Sequence, residues 1–229
     1  MTILAVTGLQ RERRLIAEAT GVDVIAGGGD HSRLEAELER LTRGRSGIIS
    51  IGIAGGLAAD VATGTWIVAD VVREGDDSVP ADLAWTSRLA SGLPQAVRGP
   101  VLGANVMVAQ AAQKTELHRT TGALAVDMES HIVARIARRH GLAFAVARVI
   151  CDPARHDLPP AARVGMGRDG RADVGAVLAS LLARPGQLPA LFRTAVQAER
   201  ALRRLVGGCR RLGPGLGSAD LGKPALDVT

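Results

Sequence analysis

Residues Ala123 to Ser130 combine a short apolar run with an abrupt pair of acids. Ala123-Leu124-Ala125-Val126 suits a buried strand. Asp127-Met128-Glu129 then sets two carboxylates and a thioether where that strand gives way to a helix predicted over Ser130 to His140. In open α/β sheets ligands sit in the crevice beyond the carboxyl ends of strands, where loop side chains converge. A carboxylate there can accept hydrogen bonds from both hydroxyls of a vicinal diol, such as the 2′ and 3′ hydroxyls of a ribose. The methionine would pack on the apolar face of the sugar. The plainer reading of the same residues is a helix N-terminus whose acids are favoured by the macrodipole.

The elements that must position this octet follow from periodicity. Thr2 to Val6 and Val22 to Ala26 read as strands separated by a helix over Arg11 to Ala19, a β-α-β opening. Gly27-Gly28-Gly29 makes the next turn, and Ser32 with Glu35 has capping-box spacing for a helix to Leu41. Strands are predicted at Ser46 to Ile53, Trp66 to Val72, Gln95 to Leu102 and Ala143 to Ile150, with a helix near Asp82 to Ser91. Strands alternating with helices imply an α/β fold, a largely parallel, twisted mixed sheet covered on both faces in a three-layer α/β/α sandwich. Cys151 to Asp173 is rich in Pro, Gly, Arg and His and reads as an irregular, lid-like stretch. Helical patterns resume at Val174 to Ala183 and in the basic Leu188 to Leu212, with a break expected at Gly207-Gly208. One domain is expected over residues 1–212, and 213–229, punctuated by Gly and Pro, reads as a poorly structured tail.

Composition narrows the function classes. The chain has 229 residues, enough for a sizeable single core, and a formal net charge of +5. Basicity raises the question of nucleic acid, but single-strand binders need aromatic platforms, and this chain has no Tyr, two Phe and two Trp. Its two cysteines, Cys151 and Cys209, form neither a metal spacing nor a disulfide framework, so no metal and no cofactor are implied and a reducing, cytoplasmic setting fits. With no signal-like start and no run of about 18 apolar residues, the protein is expected to be soluble or peripheral.

Three separated segments resemble one family. Gly52-Ile53-Ala54-Gly55-Gly56-Leu57 after a strand, Ala125-Val126-Asp127-Met128-Glu129-Ser130 before a helix, and Arg148-Val149-Ile150-Cys151-Asp152-Pro153 after a strand are similar to the nucleoside phosphorylases and nucleosidases. The resemblance implies cleavage of the N-glycosidic bond of a nucleoside, a reaction that leaves positive charge on the sugar and negative charge on the base. It implies Asp152 as the acid that protonates purine N7, with burial beside Val149 and Ile150 raising its affinity for the proton. Read alone, Asp152-Pro153 is equally an Asp-Pro turn. It implies Glu129 on the ribose hydroxyls, Met128 on the sugar face, and Asp127 as a further substrate contact or a helix cap. Gly55 in the glycine-rich turn and Val106 in the stretch Gly103 to Met107 are the other implied substrate contacts. That stretch holds no aromatic residue for the purine to stack on.

The nucleophile divides the family. Its phosphorolytic branch uses an arginine and a hydroxyl around the glycine-rich turn, where this chain has Ser50 and Ile53, and neither clasps a phosphate as an arginine would. Its hydrolytic branch uses an N-terminal glutamate to orient water, and Glu12 stands in the matching place. Read alone, Glu12 is equally a solvated helix residue, and Arg11, Arg13 or Arg14 could reach an anion. Over nearly the whole chain the pattern is closest to the hopanoid-associated phosphorylases, through Thr7-Gly8-Leu9, Gly27 to Asp30, Asp127 to His131, Pro185 to Pro189 and Leu212 to Leu216. That subgroup implies release of adenine from adenosylhopane to give ribosylhopane. A lipid-linked substrate suits a peripheral contact with the inner membrane surface through Leu188 to Leu212, although every surface helix is amphipathic. A homo-oligomer is left open.

Overall fold

The computed structural model describes residues 2–164, 170–171 and 173–218. In chain order the elements are β1 (Ile3–Thr7), α1 (Gln10–Thr20), β2 (Asp23–Ala26), α2 (His31–Leu41), β3 (Gly47–Gly56), β4 (Trp66–Glu74), β5 (Asp77–Pro80), α3 (Leu83–Gly92), β6 (Val97–Gly103), α4 (Ala111–Thr121), β7 (Ala125–Asp127), α5 (Ser130–His140), β8 (Ala143–Asp152), α6 (Pro160–Val164), α7 (Val174–Ala183) and α8 (Leu188–Leu212).

The strands form one mixed sheet in the order β2-β1-β3-β7-β6-β4-β5, with β8 pairing both β3 and β4. Side chains alternate across it with period two. On β8, Phe144, Val146 and Ile150 join a core with α2 and α5, while Ala145, Ala147 and Val149 join a second core with α1, α3 and α8. The mixed α/β sheet with helices on both faces is thus as expected. One difference concerns its curvature. The pairing of β3 with β8 shifts register between Ala54 and Gly55, so that Gly55 pairs Asp152, and the end of β3 also pairs antiparallel with β7, Gly55 opposite Val126. That short contact curls the sheet until β3, β8, β4, β6 and β7 run round in a ring, and the ring brings the ends of β3, β7 and β8 together.

Four local expectations need correction. The cap of α2 is Asp30, whose carboxylate accepts from Arg33 N at 3.0 Å, so Ser32 lies inside the helix. Gly207-Gly208 does not break α8, which is continuous; a Cβ on Gly208 would stand 2.3 Å from Trp66 Cζ2, so the glycine lets the helix lie flat on that indole. The hairpin strand β5 and the helix α4 had no predicted counterparts. Finally, the start of the tail is packed: Leu216 is buried, its carbonyl accepts from Trp85 Nε1 at 2.8 Å, and the Gly217 carbonyl accepts from Arg88 Nε at 2.8 Å. Residues 219–229 lie outside the described residues, as does most of Gly165–Ala172 within the predicted lid.

Candidate active site

The deep end of a cavity of about 510 Å³ is built where β1, β3, β7 and β8 end. Glu12, in the first turn of α1, is buried. Its Oε2 accepts from Thr7 Oγ1 and from Leu9 N, both at 2.7 Å, and its Oε1 accepts from Ile53 N at 2.6 Å. A carboxylate offers about four acceptor positions, so one on Oε1 stays open beside the cavity that Glu12 helps to line. Glycine at position 52 makes this possible, because a Cβ there would stand 2.7 Å from Glu12 Oε1 and 2.9 Å from Arg148 Nη1.

Asp127 closes β7 and caps α5. Its Oδ1 accepts from Glu129 N at 3.0 Å and Ser130 N at 2.7 Å; its Oδ2 accepts from Ser130 Oγ at 2.5 Å and meets Arg148 Nε at 2.8 Å. It thus accepts three hydrogen bonds within the protein and pairs with the Arg148 cation, and it acts on a ligand by holding Glu129 and Arg148 in place. The fully buried Arg148 guanidinium also donates to Ser50 Oγ at 2.5 Å and reaches Glu129 Oε2 at 3.5 Å. Ser50, the position compared with a phosphate-binding arginine, therefore has its hydroxyl committed to Arg148 and Ser130.

Glu129 lies in the cavity wall under Gly8, where a Cβ would come within 3.1 Å of its Oε1. Burial pushes its carboxyl up to about 8; Arg148 opposes this, and the charges of Asp127 and Glu12 reinforce it. Burial thus favours the protonated form of the unliganded side chain. Donation from two hydroxyls would favour the ionised form and release that proton.

Asp152 ends β8 on the opposite wall. Its Oδ2 accepts at 2.6 Å from Lys114 Nζ, a fully buried ammonium on α4 that also donates to the carbonyls of His156 at 3.1 Å and Pro153 at 3.3 Å. The apolar surroundings anticipated for Asp152 are in fact an ion pair. Lys114 went unrecognised because α4 carries no apolar stripe: it is the helix's only buried residue, and its partner is 38 residues away. Cys151 Sγ donates to Asp152 Oδ1 at 3.0 Å, and burial holds that thiol well above its ordinary range. Gly55 faces Asp152 across the strand pair, a Cβ there lying 3.4 Å from both carboxylate oxygens, so its lack of a side chain keeps the acid open to the cavity.

The remaining walls are mostly apolar, with Arg11, Arg171 and Thr194 as their polar members. The cavity encloses about 510 Å³ and runs from these carboxylates past Met107, Val108 and Met128 to a mouth lined by α6, α7 and α8 through Ala162, Val177, Leu191 and Ala198. Val106 stands at the rim, 67% exposed. No aromatic side chain lines it among the described residues, leaving thioethers and aliphatics to face a planar base. His131 sits beneath Gly103 with its Nε2 3.1 Å from Asn105 Oδ1, and His118 bonds the Ala123 carbonyl at 2.8 Å; both have structural partners. Among the described residues no cluster of His, Cys, Asp and Glu could hold a metal ion.

Residues 31–183, about two thirds of the chain, match the family model described as the phosphorylase superfamily. The chain belongs to the phosphorylase superfamily. Asp127, Glu129, Arg148, Asp152 and Lys114 all fall inside the matched span, and Glu12 lies before it. The fold is similar to that of 5′-methylthioadenosine/S-adenosylhomocysteine nucleosidase from S. pneumoniae, at 14% identity and a TM-score of 0.62, covering 93% of this chain and 100% of that one. It is similar also to futalosine hydrolase of Helicobacter pylori, at 16% identity and a TM-score of 0.64, covering 92% of this chain and 97% of that one. The 5′-methylthioadenosine/S-adenosylhomocysteine nucleosidase of H. pylori aligns at 16% identity and 0.63, over 90% and 95%. At these identities the likeness is one of fold.

Proposed function

We propose that this chain hydrolyses the N-glycosidic bond of an adenine nucleoside with a large apolar 5′ substituent, adenosylhopane, releasing adenine and ribosylhopane. The observation that carries the reading is the convergence of Glu12, Glu129 and Asp152, from three separate segments, on one end of a cavity whose other end is aliphatic. Superfamily membership and the nucleosidase-like fold support it.

The steps balance as a hydrolysis. Water held on the open acceptor position of Glu12 Oε1 attacks the anomeric carbon and passes a proton to that carboxylate. The bond from sugar to purine breaks, its electron pair leaving with the base, and N7 takes a proton through Asp152 that Lys114 supplies across the 2.6 Å contact. Glu129 accepts from the ribose hydroxyls, fixing the sugar between Glu12 and Asp152, while Met128 covers its apolar face. Water rather than phosphate is favoured because Arg148, the cation packed against Gly52, is fully buried and held by Asp127 and Ser50.

The test is incubation of the purified chain with adenosylhopane and with methylthioadenosine, with and without phosphate, followed by identification of the sugar product. Free adenine beyond one equivalent of protein, with a reducing sugar and no phosphate requirement, is the expected result. A sugar 1-phosphate would make the protein a phosphorylase, and no turnover would leave a nucleoside-binding protein.

A further inference from the structure

Helix α7 is ten residues without a charge, and none of them is buried. Leu178 is 56% and Leu182 86% exposed; across the 3-10 turn Pro185–Gln187, α8 opens with Leu188 and Phe192, the latter 72% exposed. The second half of the same helix is different: Ala201, Leu202, Leu205 and Cys209 are buried in the core with Trp66 and Leu93. The expectation that all of Leu188 to Leu212 offers an interfacial face is therefore corrected, because its C-terminal half is committed to the sheet. Arg203 there pairs with Glu199, and Arg204 reaches the Gly64 carbonyl. Scattered exposed apolar residues are ordinary, but a contiguous group on two joined helices marks a contact surface.

The charges around that group indicate what covers it. Arg163 at the end of α6, which packs on α7, Arg184 at the corner and Arg193 beside Phe192 are exposed, and none makes an ion pair among the described residues. The nearby acids are engaged elsewhere: Asp173 caps α7 through Ala176 N, and Glu199 pairs with Arg11. A second copy seated by a two-fold axis would set this face on itself, arginine against arginine. A lipid surface with anionic headgroups meets both the apolar corner and its basic rim. No single described helix is long and apolar enough to cross a membrane, the chain turns by 116° between α7 and α8, and α8 is committed to the core from Ala201 onward, which suits a corner lying on such a surface.

We propose that the α7–α8 corner is a peripheral membrane contact, with Leu178, Leu182, Leu188 and Phe192 at the acyl boundary and Arg163, Arg184 and Arg193 on lipid phosphates. The cavity mouth, lined by Val177 and Leu191 of the same helices, then faces the bilayer. This does not depend on the hydrolytic reading.

The full chain is floated with vesicles of phosphatidylcholine alone and with added phosphatidylglycerol, at low and high salt. Wild type is expected to bind the anionic vesicles and to be released by salt. Leu178→Ser with Leu182→Ser and Phe192→Ser should abolish binding, and Arg163→Gln with Arg184→Gln and Arg193→Gln should weaken it about 100-fold, roughly five-fold per arginine. All six side chains are exposed, so an unchanged thermal midpoint is expected to show that both variants fold. The proposal is overturned if wild type ignores anionic vesicles or if the serine variant binds as wild type does. It is equally overturned if light scattering finds a wild-type dimer that the serine changes dissociate.

Discussion

At the deep end of the cavity, both carboxylate oxygens of Asp127 and of Glu12 accept hydrogen bonds and Arg148 is ion-paired to Asp127; at the mouth, α7 buries no residue at all. The deep groups stand on or near strand ends or at the starts of α1 and α5, and glycines at 8 and 52 admit Glu129 and Glu12 where a Cβ would crowd them. Fixed geometry there costs no reorganisation when charge develops during reaction. The mouth groups are small and aliphatic and make few demands on direction. The difference separates two tasks: the sheet sets what bond is broken, and the helices set what kind of substituent is admitted.

The comparison breaks most sharply at Asp152. Replacing Asp152 by Asn removes the proton path to N7, and base release should fall by about 100-fold to 10,000-fold in single-turnover measurements. It also strands the Lys114 ammonium in the interior, so unfolding free energy should drop by about 3–5 kcal/mol. Adding Lys114→Met should restore most of the stability and none of the turnover; recovery of both would remove Asp152 from the chemistry.

Next in size is Glu12→Gln, for which hydrolysis should fall at least about 100-fold while substrate affinity stays near that of wild type. Phosphate should not rescue it. Rescue by phosphate would mean that a cavity-lining cation, Arg11 or Arg171, serves an anion and would make the protein a phosphorylase.

Glu129→Gln separates binding from stability. Substrate affinity should weaken by roughly 10-fold to 100-fold, the scale of a lost charge-assisted hydrogen bond. Stability should move the other way with pH. The folded carboxyl titrates near 8 against an ordinary value of 4.5, so between those values the native state holds a proton that the unfolded chain releases, and wild-type stability falls as pH rises through that window. The melting temperature of the variant, relative to wild type, should therefore rise from about pH 5 to about pH 8.5. A pH-independent difference would show that Glu129 is ionised throughout.

The smallest effect belongs to the mouth. Ala198→Leu narrows the apolar end and should raise KM for a nucleoside with a bulky 5′ group by about ten-fold, with less than about a two-fold change for methylthioadenosine. Equal changes on both substrates would mean that the two ends of the cavity are not independent.

How far the chain could be read in advance follows the same division. The bounds of Ser130–His140, Val174–Ala183 and Leu188–Leu212 were legible to the residue, although the last runs on through the break expected at Gly207-Gly208. Glu129 was nameable from its place where a strand gives way to a helix, whereas Glu12 and Asp152 were nameable only through the resemblance to the nucleoside phosphorylases and nucleosidases. Lys114 was not, since its contact with Asp152 exists only after α4 packs on the end of β8. The role of Asp127 was only half visible: its place before a helix suggested a cap, but Arg148 arrives from β8. Gly207-Gly208 misled because a glycine pair signals a break unless a Trp on another element requires the space.

A cavity lined by Met107 and Met128 and by no aromatic ring carries a liability to oxidants. Both thioethers are only half-buried, whereas the neighbouring Cys151 is held as an unreactive thiol. Conversion of either methionine to its sulfoxide would put a polar, chiral group against the sugar or the base. Mild peroxide should therefore inactivate the protein without unfolding it, a bound nucleoside should slow that loss, and methionine sulfoxide reductases should reverse it.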